Sequence, residues 1–180
     1  MRAQRSTTLY LASSSFFGGI ILKGSVSKLV ATTGLMTALT TVATMVIQVP
    51  IPATKGYINL GDTMVMLSGS LFGSLVGSVA GGLGSALADL LSGYAHWAPF
   101  TLVIKCAEGY IAGLSKDKKG IFKVLILIIA GVEMVLGYFL VEVWLYGLGG
   151  ALAELPGNSF QAASGTLLAY ILTSVIRRVL

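Results

Sequence analysis

The stretch that decides the fold is Gly61 to Ser92, GDTMVMLSGSLFGSLVGSVAGGLGSALADLLS. It holds no proline, and its only charged residues are Asp62 and Asp89. Apolar and small residues run through it without the polar face that a soluble amphipathic helix needs. A single helix over it would extend about 45 Å, at 1.5 Å per residue, against a bilayer hydrocarbon core of about 30 Å. The stretch therefore belongs in a membrane and has to break once. Leu71-Phe72-Gly73-Ser74 is the expected place, giving a short helix over 61–72 and a second over 74–92. Asp62 is expected to cap the first of them.

The rest of the chain follows the same pattern. Of 180 residues, 55% are hydrophobic and 11% charged, and mean hydropathy is +0.87. A soluble domain carries about 25% charged residues. Upstream, a span over 29–49 ends at Pro50-Ile51-Pro52, which cannot continue a helix. Residues 50–60 read as a loop. Downstream, 92–99 is an interfacial loop, followed by spans over 98–115 and 121–146. A Gly-rich loop covers 147–155, and Pro156 opens a last span to 176. The expected fold is all-α, an integral membrane bundle of six helices over 28–178. Residues 1–27, with Arg2 and Arg5 ahead of a weak apolar stretch, read as a cytoplasmic or interfacial arm.

The net charge of +5 follows topology rather than nucleic-acid binding. Arg2, Arg5, Lys23 and Lys28, then Lys116, Lys118, Lys119 and Lys123, then Arg177 and Arg178, all fall on one side of a six-span layout, and only Lys55 falls on the other. Basic loops stay cytoplasmic. A multi-pass protein of the cell membrane with both termini cytoplasmic is expected. The single cysteine, Cys106, allows no intrachain disulfide.

Little points to catalysis. There is one histidine, no metal-ligand spacing, no phosphate-binding loop and no serine beside a base–acid pair. No cofactor, metal or catalytic residue is assigned. Gly69, Gly73, Gly77 and Gly81 recur every fourth residue before Ser85, a spacing that lets membrane helices approach closely. Gly34 and Ala38 form a similar pair on the first span; they either pack the bundle or dock a second membrane subunit.

The ionisable residues inside spans are the strongest functional signal. Asp89, Lys105, Glu108, Glu133 and Glu142 each cost at least about 2.5–3.5 kcal/mol at mid-membrane, so they pair or line a wet cavity. Lys105 and Glu108, three apart, can pair. Glu133 shares a face with Gly137, Leu140 and Trp144; Glu142 lies opposite with Tyr138 and Tyr146. The depth of Glu133 favours its face as the inward one. At the outer ends, Tyr57 and Asn59, the Tyr94–Trp97 loop with His96, Trp144 with Tyr146, and Asn158 converge on one mouth, and Gln161 shares a helix stripe with Asn158. Aromatic belts and interhelical hydrogen bonds would use the same residue types; a ligand pocket open to the outside would use them together.

Four segments, GYINLGD (56–62), ALADLLSGY (86–94), WAPFTLVIKCAEGYIAGL (97–114) and ELPGNSFQ (154–161), resemble the S components of energy-coupling factor (ECF) vitamin transporters. The likeness spans 28–178 and leans toward the hydroxymethylpyrimidine, pyridoxine and riboflavin-type branch. It implies a six-helix subunit that captures a vitamin from outside and works with a transmembrane coupling subunit and two ABC-type ATPases. A small heteroaromatic vitamin or precursor is expected, hydroxymethylpyrimidine or a B6 vitamer first and riboflavin next. The substrate contacts expected are Tyr57, Asn59, Tyr94, His96, Trp97, Lys105, Glu133, Trp144, Asn158 and Gln161. In the family the first helix often docks the coupling subunit through A-x-x-x-A; here Gly34-x-x-x-Ala38 stands in its place, and Ser74 stands where proline often follows helix two. The competing reading is a self-sufficient proton-coupled transporter with Glu133 as relay.

Overall fold

The computed structural model describes the backbone of residues 3–179 and the side chains of 25–178. The chain divides into two compact units, Met1–Thr32 and Thr33–Leu180. Most of the expected arm over 1–27 lies outside the residues whose side chains are described.

The elements are α1 (Ala3–Val46), β1 (Gln48–Ile51), β2 (Gly56–Asn59), α2 (Gly61–Phe72), α3 (Ser74–Leu91), α4 (Ala98–Gly113) and α5 (Gly120–Val179). Among the described residues, three helices are long and apolar enough to cross a membrane: α1 over Ser25–Val46, α3, and α5 over Gly120–Arg178. The surface of the Thr33–Leu180 unit is that of a protein in lipid. Leu35, Leu75, Val103, Leu140 and Phe160 are exposed, whereas Thr40, Asp62, Lys105, Glu108 and Gln161 are buried.

The break in the deciding stretch falls at Gly73, with φ 99° and ψ 176°, a backbone conformation open to glycine and strained for other residues. Asp62 does not cap α2. Asn59 Oδ1 accepts the Gly61 N–H at 2.7 Å instead, which frees Asp62 for the interior, where it is 1% exposed.

Two expectations change. Residues 50–60 are not simply a loop: β1 and β2 pair antiparallel, Gln48 with Asn59 and Ile51 with Gly56. The ribbon tolerates Pro50 because each strand has only one neighbour, so the missing N–H breaks no second ladder. The Gly-rich segment 147–155 is not a loop either. The last two expected spans form one 60-residue element whose single non-helical residue is Gly147, at φ 76° and ψ 173°. α5 is thus two helices that meet at a kink at Gly147. It folds back on itself. The Thr166 hydroxyl donates to the Leu127 carbonyl at 3.4 Å, and a Cβ on Gly131 would meet the Ala162 Cβ at 3.0 Å.

The fourfold glycine spacing does what close packing requires. Gly69 and Gly77 face the backbone of Gly109 on α4, and Gly81 faces that of Lys105. Close approach sets α4 tightly against α2 and α3 and fixes the depth of Lys105. Gly34 and Ala38 are different. Both are exposed, and a Cβ on Gly34 would meet nothing within 4 Å.

Candidate functional site

A cavity of about 30 Å³ opens beneath the ribbon, lined from α1, β2, α3, α4 and both arms of α5. Each wall follows from local structure. Tyr57 comes from the ribbon, and its phenol donates to Asp89 Oδ1 at 2.6 Å. Burial and the Asp89 carboxylate hold that phenol well above its ordinary pKa, so it remains a donor. Thr54, in the ribbon turn, donates its hydroxyl to Glu154. The ribbon is therefore latched at two points, to α3 and to α5. A third bond joins its base to the residue that follows α3, where Gln48 Nε2 donates to Ser92 Oγ at 3.1 Å.

Below the ribbon lies a polar network. Lys105 donates to Asp62 and, at 2.8 Å, to Glu108 Oε2. All three residues are at most 2% exposed. Gln161 Nε2 donates to the same Asp62 oxygen at 3.0 Å, and its Oε1 accepts the Asn59 N–H at 2.7 Å. The base of the cavity is thereby tied to β2 and α5. On the α5 wall, Asn158 Nδ2 donates to Glu142 Oε1 at 3.1 Å. Tyr138 donates to Thr101 Oγ1 at 3.1 Å, and its ring lies 5.6 Å from the Lys105 ammonium, within cation–π range. Trp97 packs among aromatics, 5.9 Å from Tyr138 and 6.0 Å from Tyr146 between ring centres.

Of the ten residues expected from sequence, Tyr57, Asn59, Trp97, Lys105, Asn158 and Gln161 line this cavity. Tyr94 stands just behind, its ring 4.5 Å from that of Tyr57. Three fall elsewhere. His96 is exposed. Trp144 is 74% exposed, and its ring centre lies 6.1 Å from that of Phe100 in an edge-to-face arrangement. Glu133 is half-buried and does not line the cavity. The Glu133 face of α5 turns inward only at its lower part, where Glu133 Oε2 is buried without a partner among the described residues and Gly137 packs on Ile104, while Leu140 and Trp144 are exposed. The opposite stripe, Tyr138 and Glu142, faces the cavity, and Glu142 is 1% exposed.

Sequence reasoning missed Thr44, Gly56, Ser85, Asp89, Thr101, Tyr138, Glu142 and Glu154 as lining residues. Asp89 and Glu142 carried a signal, as carboxylates inside spans. Thr44, Ser85 and Thr101 carried none, since hydroxyls are common in membrane helices. Glu154 sat in an expected loop, where a carboxylate is unremarked.

Five lining residues keep a buried polar atom without a partner among the described residues: Thr44 Oγ1, Ser85 Oγ, Asp89 Oδ2, Trp97 Nε1 and Glu142 Oε2. Such atoms are rare in folded proteins and need a reason. Together they form two carboxylate acceptors, two hydroxyls that can donate or accept, and one indole donor around one small volume. Among the described residues, no group of three or more His, Cys, Asp or Glu side chains is arranged to hold a metal.

Comparison with known proteins adds the following. The family model described as ECF-type riboflavin transporter, S component, matches residues 24–178. A protein of Pyrococcus woesei, known only as an uncharacterized protein in a gap 3′ region, is 50% identical over 146 residues, covering 78% of this chain and 98% of its own. The thiamine precursor transporter HmpT of Lactococcus lactis subsp. cremoris is 34% identical over 143 residues, covering 79% of this chain and 83% of its own.

Proposed function

We infer the role of this chain from its family: it belongs to the S components of ECF-type transporters, and it is a membrane-embedded, substrate-binding transport subunit, not an enzyme. Membership in that family displaces the self-sufficient proton-coupled reading. The finer points are proposals. The substrate is a small heteroaromatic vitamin or precursor with N–H donors, of the hydroxymethylpyrimidine or B6 type, bound in the cavity beneath the ribbon.

One observation carries this reading: the unpartnered buried polar atoms converge on the cavity. Their chemistry gives the substrate class. Asp89, Glu142 and Glu154 line the cavity, whereas its single base, Lys105, is already engaged by Asp62 and Glu108. Acceptors in excess suit a ligand that brings donors, such as an amino-substituted ring, and disfavour a carboxylate ligand. Trp97, Tyr138 and Tyr57 supply faces for a flat ring. The 34% identity to a thiamine precursor transporter points the same way. Riboflavin is kept as a second reading because the matching family model carries that description. Ligand pockets measure roughly 300 Å³ or more, so a cavity of about 30 Å³ has to widen. The ribbon is the element to move, by releasing the Tyr57–Asp89 and Thr54–Glu154 bonds.

Titration of the detergent-purified protein with hydroxymethylpyrimidine, pyridoxine and riboflavin, followed calorimetrically, tests the proposal. Asn158→Ala strips Glu142 of its partner and is expected to weaken binding by roughly 1–3 kcal/mol, the cost of an unmatched buried polar group. A folded Asn158→Ala protein that binds as tightly as wild type would remove the helical amides from the site.

The remaining parts concern assembly. The last two spans, counted separately on either side of Gly147, make a six-helix bundle with both termini cytoplasmic, supported by the one-sided basic residues. A coupling subunit and two ABC-type ATPases complete the importer. Gly34 and Ala38 are the proposed docking surface, since their exposed face leaves room for a second helix to approach. Gly34→Leu is expected to lower uptake into proteoliposomes holding the whole complex by at least about tenfold, equivalent to some 1.4 kcal/mol of lost docking. Ligand binding by the isolated subunit should be unchanged. Equal loss of both would return this pair to a packing role.

A further inference from the structure

The cavity wall built by α5 carries two carboxylates and no cation. Glu142 stands before the Gly147 kink and Glu154 after it; both line the cavity, at 1% and 3% exposure. Asn158 ties the two arms together. It follows Glu154 by about one helical turn, and its Nδ2 donates to Glu142 Oε1 at 3.1 Å. Glu142 is thereby held against the side of the second arm that Glu154 occupies. Its Oε2 is buried with no partner among the described residues. Glu154 accepts the Thr54 hydroxyl. The ion pairs among the described residues belong to Lys105, with Asp62 and Glu108, and neither Glu142 nor Glu154 takes part in one.

A buried carboxylate is expensive unless it is paired. Asp62 and Glu108 have the Lys105 ammonium, but Glu142 has one amide N–H and Glu154 one hydroxyl. Among the described residues no side chain supplies the missing charge. Other groups on the cavity also wait for a partner: Thr44 Oγ1 and Ser85 Oγ, in side chains only 2% exposed, and Trp97 Nε1. Their placement gives the shape of what is missing. Tyr138, Glu142 and Tyr146 stand at i, i+4 and i+8 on the first arm of α5, hence on one stripe. The Trp97 ring lies 5.9 Å from Tyr138 and 6.0 Å from Tyr146, so it sits over the stripe whose middle is Glu142. A flat ring stacked on Trp97 has a substituent at its edge within reach of that carboxylate. A ring N–H brings one donor there, whereas an ammonium brings three and a full charge. The ribbon movement that widens the cavity also takes Thr54 from Glu154 and leaves the second carboxylate open.

We propose that Glu142 and Glu154 recognise an exocyclic ammonium group of the substrate, so that the chain selects an aminomethyl heterocycle over the corresponding alcohol. This rests on the reading of the cavity as a site for a small heteroaromatic vitamin or precursor, and narrows it to a cationic member of that class. Charge-assisted bonds from the ammonium fill the open oxygen of Glu142 and replace the Thr54 hydroxyl on Glu154. A neutral hydroxymethyl group leaves the buried charge uncompensated, and a site built of buried polar groups rejects a ligand that leaves them unpaired. Lys105 does not repel the ammonium, because its own charge is taken up by Asp62 and Glu108.

The test is calorimetric titration of the detergent-purified full chain with two pairs of probes, pyridoxamine against pyridoxine and aminomethylpyrimidine against hydroxymethylpyrimidine. Within each pair an ammonium stands in place of a hydroxyl. In the pair that binds, wild type is expected to take the amine at least about tenfold more tightly than the alcohol, the gain from one charge-assisted hydrogen bond. Glu142→Gln keeps the shape and the acceptor for Asn158, and should bring that ratio to near unity while the alcohol still binds, which shows that the variant folds. Glu133→Gln removes a carboxylate that does not line the cavity and should leave the ratio unchanged. Equal affinity for amine and alcohol in wild type would mean that protons neutralise the two carboxylates; it would overturn the proposal and leave the vitamin reading standing. A preference that survives Glu142→Gln, or falls equally in Glu133→Gln, would trace it to diffuse negative potential and overturn the proposal as well. Should Glu142→Gln give no folded protein, Glu154→Gln is read in its place: a reduced ratio supports the proposal and an unchanged one overturns it. No binding of any probe would remove the vitamin reading and the proposal with it.

Discussion

Replacing Lys105 by methionine is expected to destabilise the protein by about 3–5 kcal/mol, because removing one partner of a buried ion pair leaves uncompensated buried charge. The residue is central to the polar network. Its ammonium holds Asp62 and Glu108, residues on different helices, each at most 1% exposed. Without it two carboxylates share one small volume, and Asp62 Oδ2 and Glu108 Oε1 already lack partners among the described residues. Gln161 would follow, since it is anchored on Asp62, and with it the Asn59 bond that seats β2. The loss should therefore appear twice, as a lower midpoint of thermal unfolding in detergent and as a loss of ligand binding that exceeds the stability effect. Adding Asp62→Asn to Lys105→Met removes one charge and should recover part of the stability but not the binding. A Lys105→Met protein that unfolds at the wild-type temperature would show that the network carries no net charge burden and that Lys105 does not hold the floor of the site together.

Gly77→Leu is expected to prevent assembly of the native bundle. A Cβ at Gly77 would fall inside contact distance of the Gly109 carbonyl and 2.6 Å from the Gly69 Cα. Both neighbours are backbone, so no side chain can swing away. Gly109 has the reciprocal problem, since its own Cβ would run into the Gly77 carbonyl. Overpacking in a core costs about 1–3 kcal/mol where side chains can shift, and more where they cannot. Because α4 carries Thr101 and Lys105 and begins beside Trp97, pushing it away from α3 would also open the cavity wall. Size-exclusion profiles of the detergent-solubilised protein should show aggregate or no protein for Gly77→Leu. Gly34→Leu makes the comparison, because a Cβ there meets nothing within 4 Å and the protein should remain monodisperse. Equal behaviour of the two variants would mean that the fourfold glycine spacing does not set the helix contact.

Several features are legible in the sequence, each for a local reason. The length of the uninterrupted stretch from Asp62 to Ser92 forces a break, and Gly73 supplies it with a backbone conformation suited to glycine. The i, i+3 spacing of Lys105 and Glu108 puts them on one helix face, and they pair at 2.8 Å. Asn158 and Gln161, on one stripe, both line the cavity.

The inward face of α5 is not legible in the same way. In water, the apolar stripe of a helix marks its buried side. In lipid the surroundings are as apolar as the interior, so that contrast disappears. The first arm of α5 is apolar all round and carries one carboxylate on each side, Glu133 and Glu142. Depth in the membrane favours the first, yet packing buries oxygens of both and places only the second at the cavity. Gly137, on the Glu133 side, lets α5 settle against Ile104 of α4, while Trp144 and Leu140 are left at the outer surface. The second carboxylate on Lys105 is hidden for a related reason. Asp62 lies 43 residues away at a helix start, where a carboxylate reads as a cap. Only after Asn59 takes the Gly61 N–H and the glycine contacts bring α4 against α2 does Asp62 become the floor of the site. The sequence alone determined that this chain lives in lipid, where its helices start and break, and that charges must be buried between them. Which charges meet was decided by the tertiary structure, because close contacts between backbones, rather than any polarity pattern along a single helix, set the rotation and depth of each helix.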